Sequence, residues 1–292
     1  MTSFADLAVT AVREVAPLAG VAAGDLELIR VGDRAVLRLS HGQIIARVER
    51  GMDRLEQSRR EVEVARWLTA EGLPVTRPLD VEQPFVVGGT VVSLWHAVDG
   101  EWTVPAELGR LLRKLHGLRP PAELSLPALD PFSRVDERIE AVQGIPDEDK
   151  AQLRTLARDL RGALQEVEYV LPTAVIHGDA NIGNVLRTPE GEAVLFDLDG
   201  VCWGPPEWDL AITAVYRELG WHTDAEYEEF CQAYGFDVTQ LPGYPVLRAV
   251  RELRMTCWLS QQAGDDESIA AEVSRRIQDL ADPARPRLWH PY

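Results

Sequence analysis

The sequence predicts an α+β protein, with an antiparallel five-stranded sheet near the N-terminus and a mostly helical remainder. Three observations carry this. Between Leu26 and Trp95 apolar residues cluster in five short β-rich runs bounded by turn residues. One long helical segment, Met52 to Glu71, falls between the third run and the fourth. Beyond Trp95 the apolar spacing becomes predominantly helical.

The elements follow in order. Phe4 to Ala16 reads as a helix with Phe4, Leu7, Ala8, Val12 and Val15 on its apolar stripe. LELIRV, AVLRLS and QIIARVER are strands of a meander, separated by the turn-like VGDR and SHGQ. The helix Met52–Glu71 is closed by Gly72 and Pro74. PFVV and TVVSLW flank Gly88-Gly89 and make a hairpin. HAVDGEWTV reads as a polar connection. Helices are expected over Pro105–Leu118, Phe132–Val142 and Asp147–Val170, punctuated by Pro120-Pro121 and PALDPF. TAVI is a buried strand running into HGDANIGN. NVLRT and EAVLFDLD form a short strand pair around Pro189-Glu190-Gly191. Four helices complete the chain, at Glu207–Leu219, Asp224–Tyr234, Tyr244–Ala263 and Glu267–Leu280, before an irregular tail. The change of character at Ser93–Ala97 places a domain seam there, dividing residues 1–94 from 95–292.

Composition narrows the function. The 292 residues are 46% hydrophobic and 26% charged, as in an ordinary globular protein. Acids outnumber bases 47 to 30, for a formal charge of −17. Such a surface repels phosphate backbones and anionic lipid, so nucleic-acid and membrane partners are not expected. Cys202, Cys231 and Cys257 are too few and scattered for a disulfide framework or a zinc site. Their odd number favours a reducing compartment. MTSFADLAVTAVREVAPLAG carries Asp6 and Glu14 and no basic leader segment, so it does not read as a signal peptide. With no apolar run near the ~20 residues of a membrane span, a soluble, cytoplasmic protein is expected.

The chemistry concentrates in VIHGDANIGNVL and VLFDLDG. Asp179 and Asn184 lie in a loop leaving one short strand, and Asp197, thirteen residues beyond Asn184, ends another. A loop followed by a hairpin can bring these three to one point. The ligands are all oxygen, which suits Mg²⁺ rather than zinc. Phosphoryl transfer needs such a set: one carboxylate to orient an acceptor hydroxyl and take its proton, and an Asn and a second Asp to hold the metal.

On these residues the chain resembles the aminoglycoside phosphotransferase / choline kinase superfamily, which shares the bilobal protein-kinase-like fold. HGDANIGN matches the family's H-G-D-x-x-x-x-N loop, FDLDG its metal-binding aspartate segment, and GPPEWDLA its G-x-x-x-x-D-L-A segment. The resemblance runs from about Leu26 to Ala263. It implies Asp179 as catalytic base and Asn184 and Asp197 as Mg²⁺ ligands, with ATP or GTP as co-substrate. His177 is expected to hold the loop, and Asp209 to hydrogen-bond it. Asp199 either touches a second metal or caps the turn. Gly178 stands where many protein kinases carry the arginine that pairs with a phosphorylated activation loop, which argues against control of that kind.

The same resemblance gives 1–94 the nucleotide and 95–292 catalysis and the acceptor. The cation for the phosphates falls on Arg47, where the family has lysine, and its partner on Glu61, with Glu63 second. Gly32 alone makes a poor phosphate nest. The seam implies adenine contacts from the backbone of Ser93 and Trp95, with Ile45 and Leu186 or Phe196 around the base. Leu115-His116 matches the end of the family's first large-lobe helix, with His116 read as packing.

For the acceptor, Trp203, Trp208, Trp221 and Trp258 lie among Glu207, Asp224, Glu226, Glu228 and Glu229. Carboxylates beside aromatic faces suit a cationic acceptor, though the same residues serve as core tryptophans and solvated helix acids. An aminoglycoside or related amine- or sugar-containing compound leads. Choline-, homoserine- or sugar-type metabolites are the alternative, and a non-catalytic nucleotide-binding module is the rival class. Nothing in the sequence sets the oligomeric state.

Overall fold

The computed structural model describes residues 3–32, 34–39, 41–264, 266–282 and 285–291. Asp33 and Ser40, in the two expected turns, lie outside them. In chain order the elements are α1 (Phe4–Leu18), β1 (Glu27–Val31), β2 (Arg34–Leu39), β3 (Ile44–Glu49), α2 (Leu55–Ala70), β4 (Phe85–Val87), β5 (Thr90–His96), β6 (Glu101–Trp102), α3 (Pro105–His116), α4 (Val135–Ala141), α5 (Asp147–Gln165), β7 (Ala174–Ile176), β8 (Val185–Arg187), β9 (Ala193–Leu195), β10 (Cys202–Gly204), α6 (Pro206–Glu218), α7 (Asp224–Tyr234), α8 (Tyr244–Leu259) and α9 (Glu267–Ala281).

They form two compact units. The first holds Met1–Thr103, Gly117–Leu126 and Ile182–Val201; the second holds Val104–His116, Pro127–Asn181 and Cys202–Tyr292. The first unit thus takes in, besides 1–94, the short strands β6, β8 and β9.

In the first unit the five-stranded antiparallel sheet has the order β1-β2-β3-β5-β4. The alternation of side chains gives it two unlike faces. Ala35, Leu37, Leu39, Ala46, Val48, Val92 and Leu94 face a core shared with Ala8, Ala11, Val12, Val15 and Ala16 of α1. Leu7, expected on that stripe, is instead 46% exposed. The register pairs Arg34 with Glu49, Val36 with Arg47 and Arg47 with Ser93, so the other face is largely polar. α1 starts on a capping box in which Ser3 and Asp6 each accept the other's backbone N–H.

Gly88 and Gly89 both have positive φ, +57° and +79°, as a tight two-residue hairpin turn requires. α2 ends where Gly72, at φ +71°, lets the Leu73 N–H reach the Leu68 carbonyl and its own N–H the Thr69 carbonyl. β6, β8 and β9 make a separate three-stranded sheet. β6 lies in the stretch expected to be a loop; a two-residue strand carries no period to read.

The second unit is helical around one strand pair, β7 with β10. α4 and α5 are shorter than expected: α4 starts at Val135 and α5 stops at Gln165. The Val170 and Leu171 N–H groups, expected inside α5 or just beyond it, instead donate to the buried carboxylate of Glu207. Beyond α9 the tail is tied down. Trp289 donates to Asp279, its carbonyl accepts from Trp221, and Arg276 lies over its ring. Among the described residues no helix is long and apolar enough to cross a membrane.

Candidate active site

The expected site residues gather in two clusters, one in each unit. In the first unit, β3 carries Arg47 on the polar face of the sheet, and α2 turns Glu61 toward it while Glu63 points to solvent. Arg47 and Glu61 form a buried ion pair, the partnership expected of the strand cation and the helix acid. The Arg47 guanidinium also stacks 4.3 Å from the ring of Trp95, whose indole N–H donates to the Ser93 hydroxyl at 2.8 Å. Ile45 is half-buried on the same face.

Asn184 and Asp197 come close through the β8–β9 hairpin. The backbone N–H of Phe196 donates to the carbonyl of Asn184 at 3.0 Å, one residue before Asp197. Asp197 adopts left-handed backbone angles, φ 63° and ψ 54°, a conformation Asp and Asn tolerate better than most residues. Asp199 accepts from Gln57 at 3.3 Å. Burial raises its carboxyl above the ordinary range, Asp197 and Glu61 add to that, and Arg34 opposes it.

One residue here was not singled out from the sequence. Arg34, the first of β2, contacts Asp197 and reaches Glu61 at 3.2 Å and Glu49 at 3.6 Å. Its signal was hidden in VGDR, which reads as a turn, and its partners come from three distant segments.

The expected adenine contacts meet a difficulty. Ser93 and Trp95 pair with Arg47 and Ile45 in register, so their backbone groups turn toward β3. Those of Leu94 and His96 turn the other way: Gln83 and Leu79 engage Leu94, and the His96 N–H donates to Arg77. Ser93 and Trp95 therefore sit inside a strand ladder. Leu186 and Phe196 are half-buried.

In the second unit the loop after β7 is clamped from several sides. Asp209, near the start of α6, accepts the backbone N–H groups of His177 at 2.7 Å and Gly178 at 2.9 Å. His116 Nε2 lies 3.0 Å from the same carboxylate, and His116 Nδ1 lies 2.8 Å from the Tyr234 hydroxyl. His116 is thus part of a polar chain rather than mere packing. Buried His177 accepts the Asp179 N–H on Nδ1 at 3.3 Å. Trp208 donates to the Gly178 carbonyl at 2.8 Å. Gly178 has φ +86°, so an arginine in its place would be strained.

The clamp leaves the Asp179 side chain 56% exposed, with Arg251 of α8 at 3.6 Å. Arg251 is itself 2% exposed, bonded to the Trp208 and Gly178 carbonyls and stacked 3.9 Å over Trp208. Burial pushes its guanidinium down to about 10, against the pull of Asp179. Its sequence signal was an arginine on the buried stripe of a helix, one turn after Leu247 and beside Val250.

Asp209 gives a test of the clamp. Burial works to raise its carboxyl, but the hydrogen bond and charge of His116, then His177, hold it below the usual range. A depressed native value contributes stability above the unfolded-state value near ~3.9, and that stability is lost as pH falls through the native value. Asp209→Ala leaves two buried N–H groups without their acceptor and should cost about 3 kcal/mol. Thermal melts should show a clear drop in the variant at pH 7 and a shallower acid dependence than wild type. Unchanged melting would refute the clamp.

The candidate acceptor residues divide. Trp208 and Glu207 are fully buried in structural roles. Trp221 bonds the tail, Asp224 pairs with Arg217, and Glu226 caps α7 through Thr223. Glu228 and Glu229 are exposed, and Trp258 is 44% exposed. Trp203 is half-buried and lines a cavity of about 770 Å³ with Asp130, Asp136, Glu137 and Tyr169. Arg161 and Arg134 pair with Asp136 and Glu137 there, so much of its acidity is already neutralised.

A five-stranded sheet with a strand-cation–helix-acid pair, together with a clamped His-Gly-Asp loop, defines a kinase-like phosphotransferase. The chain belongs to the phosphotransferase enzyme family, whose model matches residues 29–253. It is a phosphotransferase acting on hydroxyl groups. No curated protein matches the sequence. Solved structures similar to it include amicoumacin kinase hAmiN in complex with AMP-PNP, Ca²⁺ and Ami, at 15% identity, covering 97% of each chain with a TM-score of 0.73. Aminoglycoside phosphotransferase APH(3'')-Id from Streptomyces rimosus, with ADP and streptomycin, is 23% identical, covering 83% of this chain and 97% of that one, TM-score 0.61. Choline kinase LicA from Streptococcus pneumoniae is 15% identical, covering 93% and 98%, TM-score 0.61.

Proposed function

We propose that the protein transfers the γ-phosphoryl group of ATP or GTP to a hydroxyl of an aminoglycoside or a related amine- or sugar-containing compound. The observation that carries the reading is the pairing of Arg47 with Glu61, which Arg34 links to Asp197. This is a cation on a strand and a carboxylate on the neighbouring hairpin, as binding of a metal–triphosphate requires. Residues 1–94 bind the nucleotide on this reading, and 95–292 supply catalysis and the acceptor site.

The donor set fits a hard divalent ion. Asn184 and Asp197 offer only oxygen from their functional ends, and two side chains suffice because Mg²⁺ completes its shell with phosphates and water. Asn184 and Asp197 would hold Mg²⁺, whose charge offsets that developing on the phosphates. Asp179 orients the acceptor hydroxyl and takes its proton as the oxygen bonds to the γ-phosphorus. The bond from that phosphorus to the β-phosphate oxygen breaks, and its electron pair leaves on the nucleoside diphosphate. Arg47 holds the phosphates and Glu61 holds Arg47. Asp209 and His177 fix the backbone that carries Asp179. The acceptor class draws support from the charge of −17 and from the antibiotics in the related structures.

Nucleotide with Mg²⁺ should raise the melting temperature by roughly 5 °C or more at a hundredfold excess over Kd. A panel of aminoglycosides, choline, homoserine and sugars should then reveal one that consumes nucleotide and gains one phosphate by mass. Tight nucleotide binding with no turnover on any acceptor would turn the reading toward a binding module.

A further inference from the structure

Arg34 has no role in the mechanism above, yet its position is unusual. Its side chain is 9% exposed and lies among four carboxylates. It contacts Asp197, bonds Glu61 at 3.2 Å, and stands 3.6 Å from Glu49 and 4.0 Å from Asp199. Glu61 receives Arg47 on its other oxygen. Through Arg34 and Arg47 the Glu61 carboxylate is thus tied to Asp197, Glu49 and Asp199 in one polar cluster. Of the four carboxylates, Asp197 is the one the mechanism assigns to the divalent cation, and here it already holds a guanidinium.

We propose that Arg34 is the resident cation of the metal–nucleotide site. In the nucleotide-free protein it holds the place on Asp197 that the divalent ion takes, and it disfavours the free ion relative to the ion already bound to nucleotide. The inference rests on the reading of Asp197 as a metal ligand. A free ion must displace the guanidinium unaided. A metal–triphosphate brings its own compensation, because the N–H groups released from Asp197 gain phosphate oxygens as new acceptors. Arg34 keeps Glu61 and Glu49 as partners throughout, so the exchange leaves it paired. Arginine suits the task because its planar fork can serve two carboxylates at once.

Mn²⁺ binding to the nucleotide-free protein, followed by loss of the free-ion electron paramagnetic resonance signal, tests this without turnover. Arg34→Gln should bind Mn²⁺ at least about tenfold more tightly than wild type, since a competing charge is gone. Adding Asp197→Asn to that variant should erase the gain. Arg34→Gln that folds and binds Mn²⁺ no more tightly than wild type overturns the proposal. Should that variant not fold, Arg34→Lys decides: a lysine serves one carboxylate at a time, so free Mn²⁺ binding should still rise, and wild-type affinity would overturn the idea. The underlying reading fails separately. If Asp197→Asn alone leaves Mn²⁺–nucleotide binding unchanged, Asp197 is not a metal ligand, and the role given to Arg34 falls with it.

Discussion

Asp179→Asn lowers the rate of phosphoryl transfer by roughly 10³-fold while nucleotide affinity stays within about twofold of wild type. The expectation follows from where the residue sits. Its backbone is held by His177, and the loop around it by Asp209 and Trp208. None of those bonds uses the Asp179 carboxylate, so an amide of the same shape leaves them in place. What is lost is the proton acceptor, and with it a charge opposite Arg251 at 3.6 Å. Steady-state kinetics with the identified acceptor, alongside titration with a fluorescent nucleotide, separate the two effects. Residual turnover near wild type would remove Asp179 from the role of base.

Asp197→Asn should act on the other half of the reaction. Loss of a charged metal ligand weakens Mg²⁺–nucleotide binding, by about 100-fold or more in apparent metal affinity. Asn is the informative replacement because it tolerates the left-handed backbone at φ 63°. Alanine would add about 1–2 kcal/mol of backbone cost and confuse the result. Nucleotide titrations with Mg²⁺ and with chelator should converge in the variant. A wild-type response to Mg²⁺ would show that another group holds the ion.

The legible and illegible parts of this molecule divide by how local their causes are. The Gly88-Gly89 hairpin, the Gly72 stop of α2 and the HGDANIGN loop declare themselves within a few residues, because each depends on neighbours along the chain. The pairing of Arg47 with Glu61 needed only two elements and a family pattern. Arg34 escaped because Glu49, Glu61, Asp197 and Asp199 meet it only after folding. Arg251 escaped for the same reason, reaching Asp179 from α8. The backbone direction at Ser93 and Trp95 could not be read from the sequence. Whether the backbone at Ser93 faces β3 or the far side turns on a single residue of register, which composition does not reveal. β6 and β10 were too short to show a period.

The strand cation at position 47 is a guanidinium, and side-chain amines are scarce throughout: Lys114 on α3 and Lys150 on α5 are the chain's two lysines. Nucleotide-like reagents that tag kinases by acylating the strand lysine would find no amine at Arg47. Surveys relying on such labels would pass over this enzyme, however active it is.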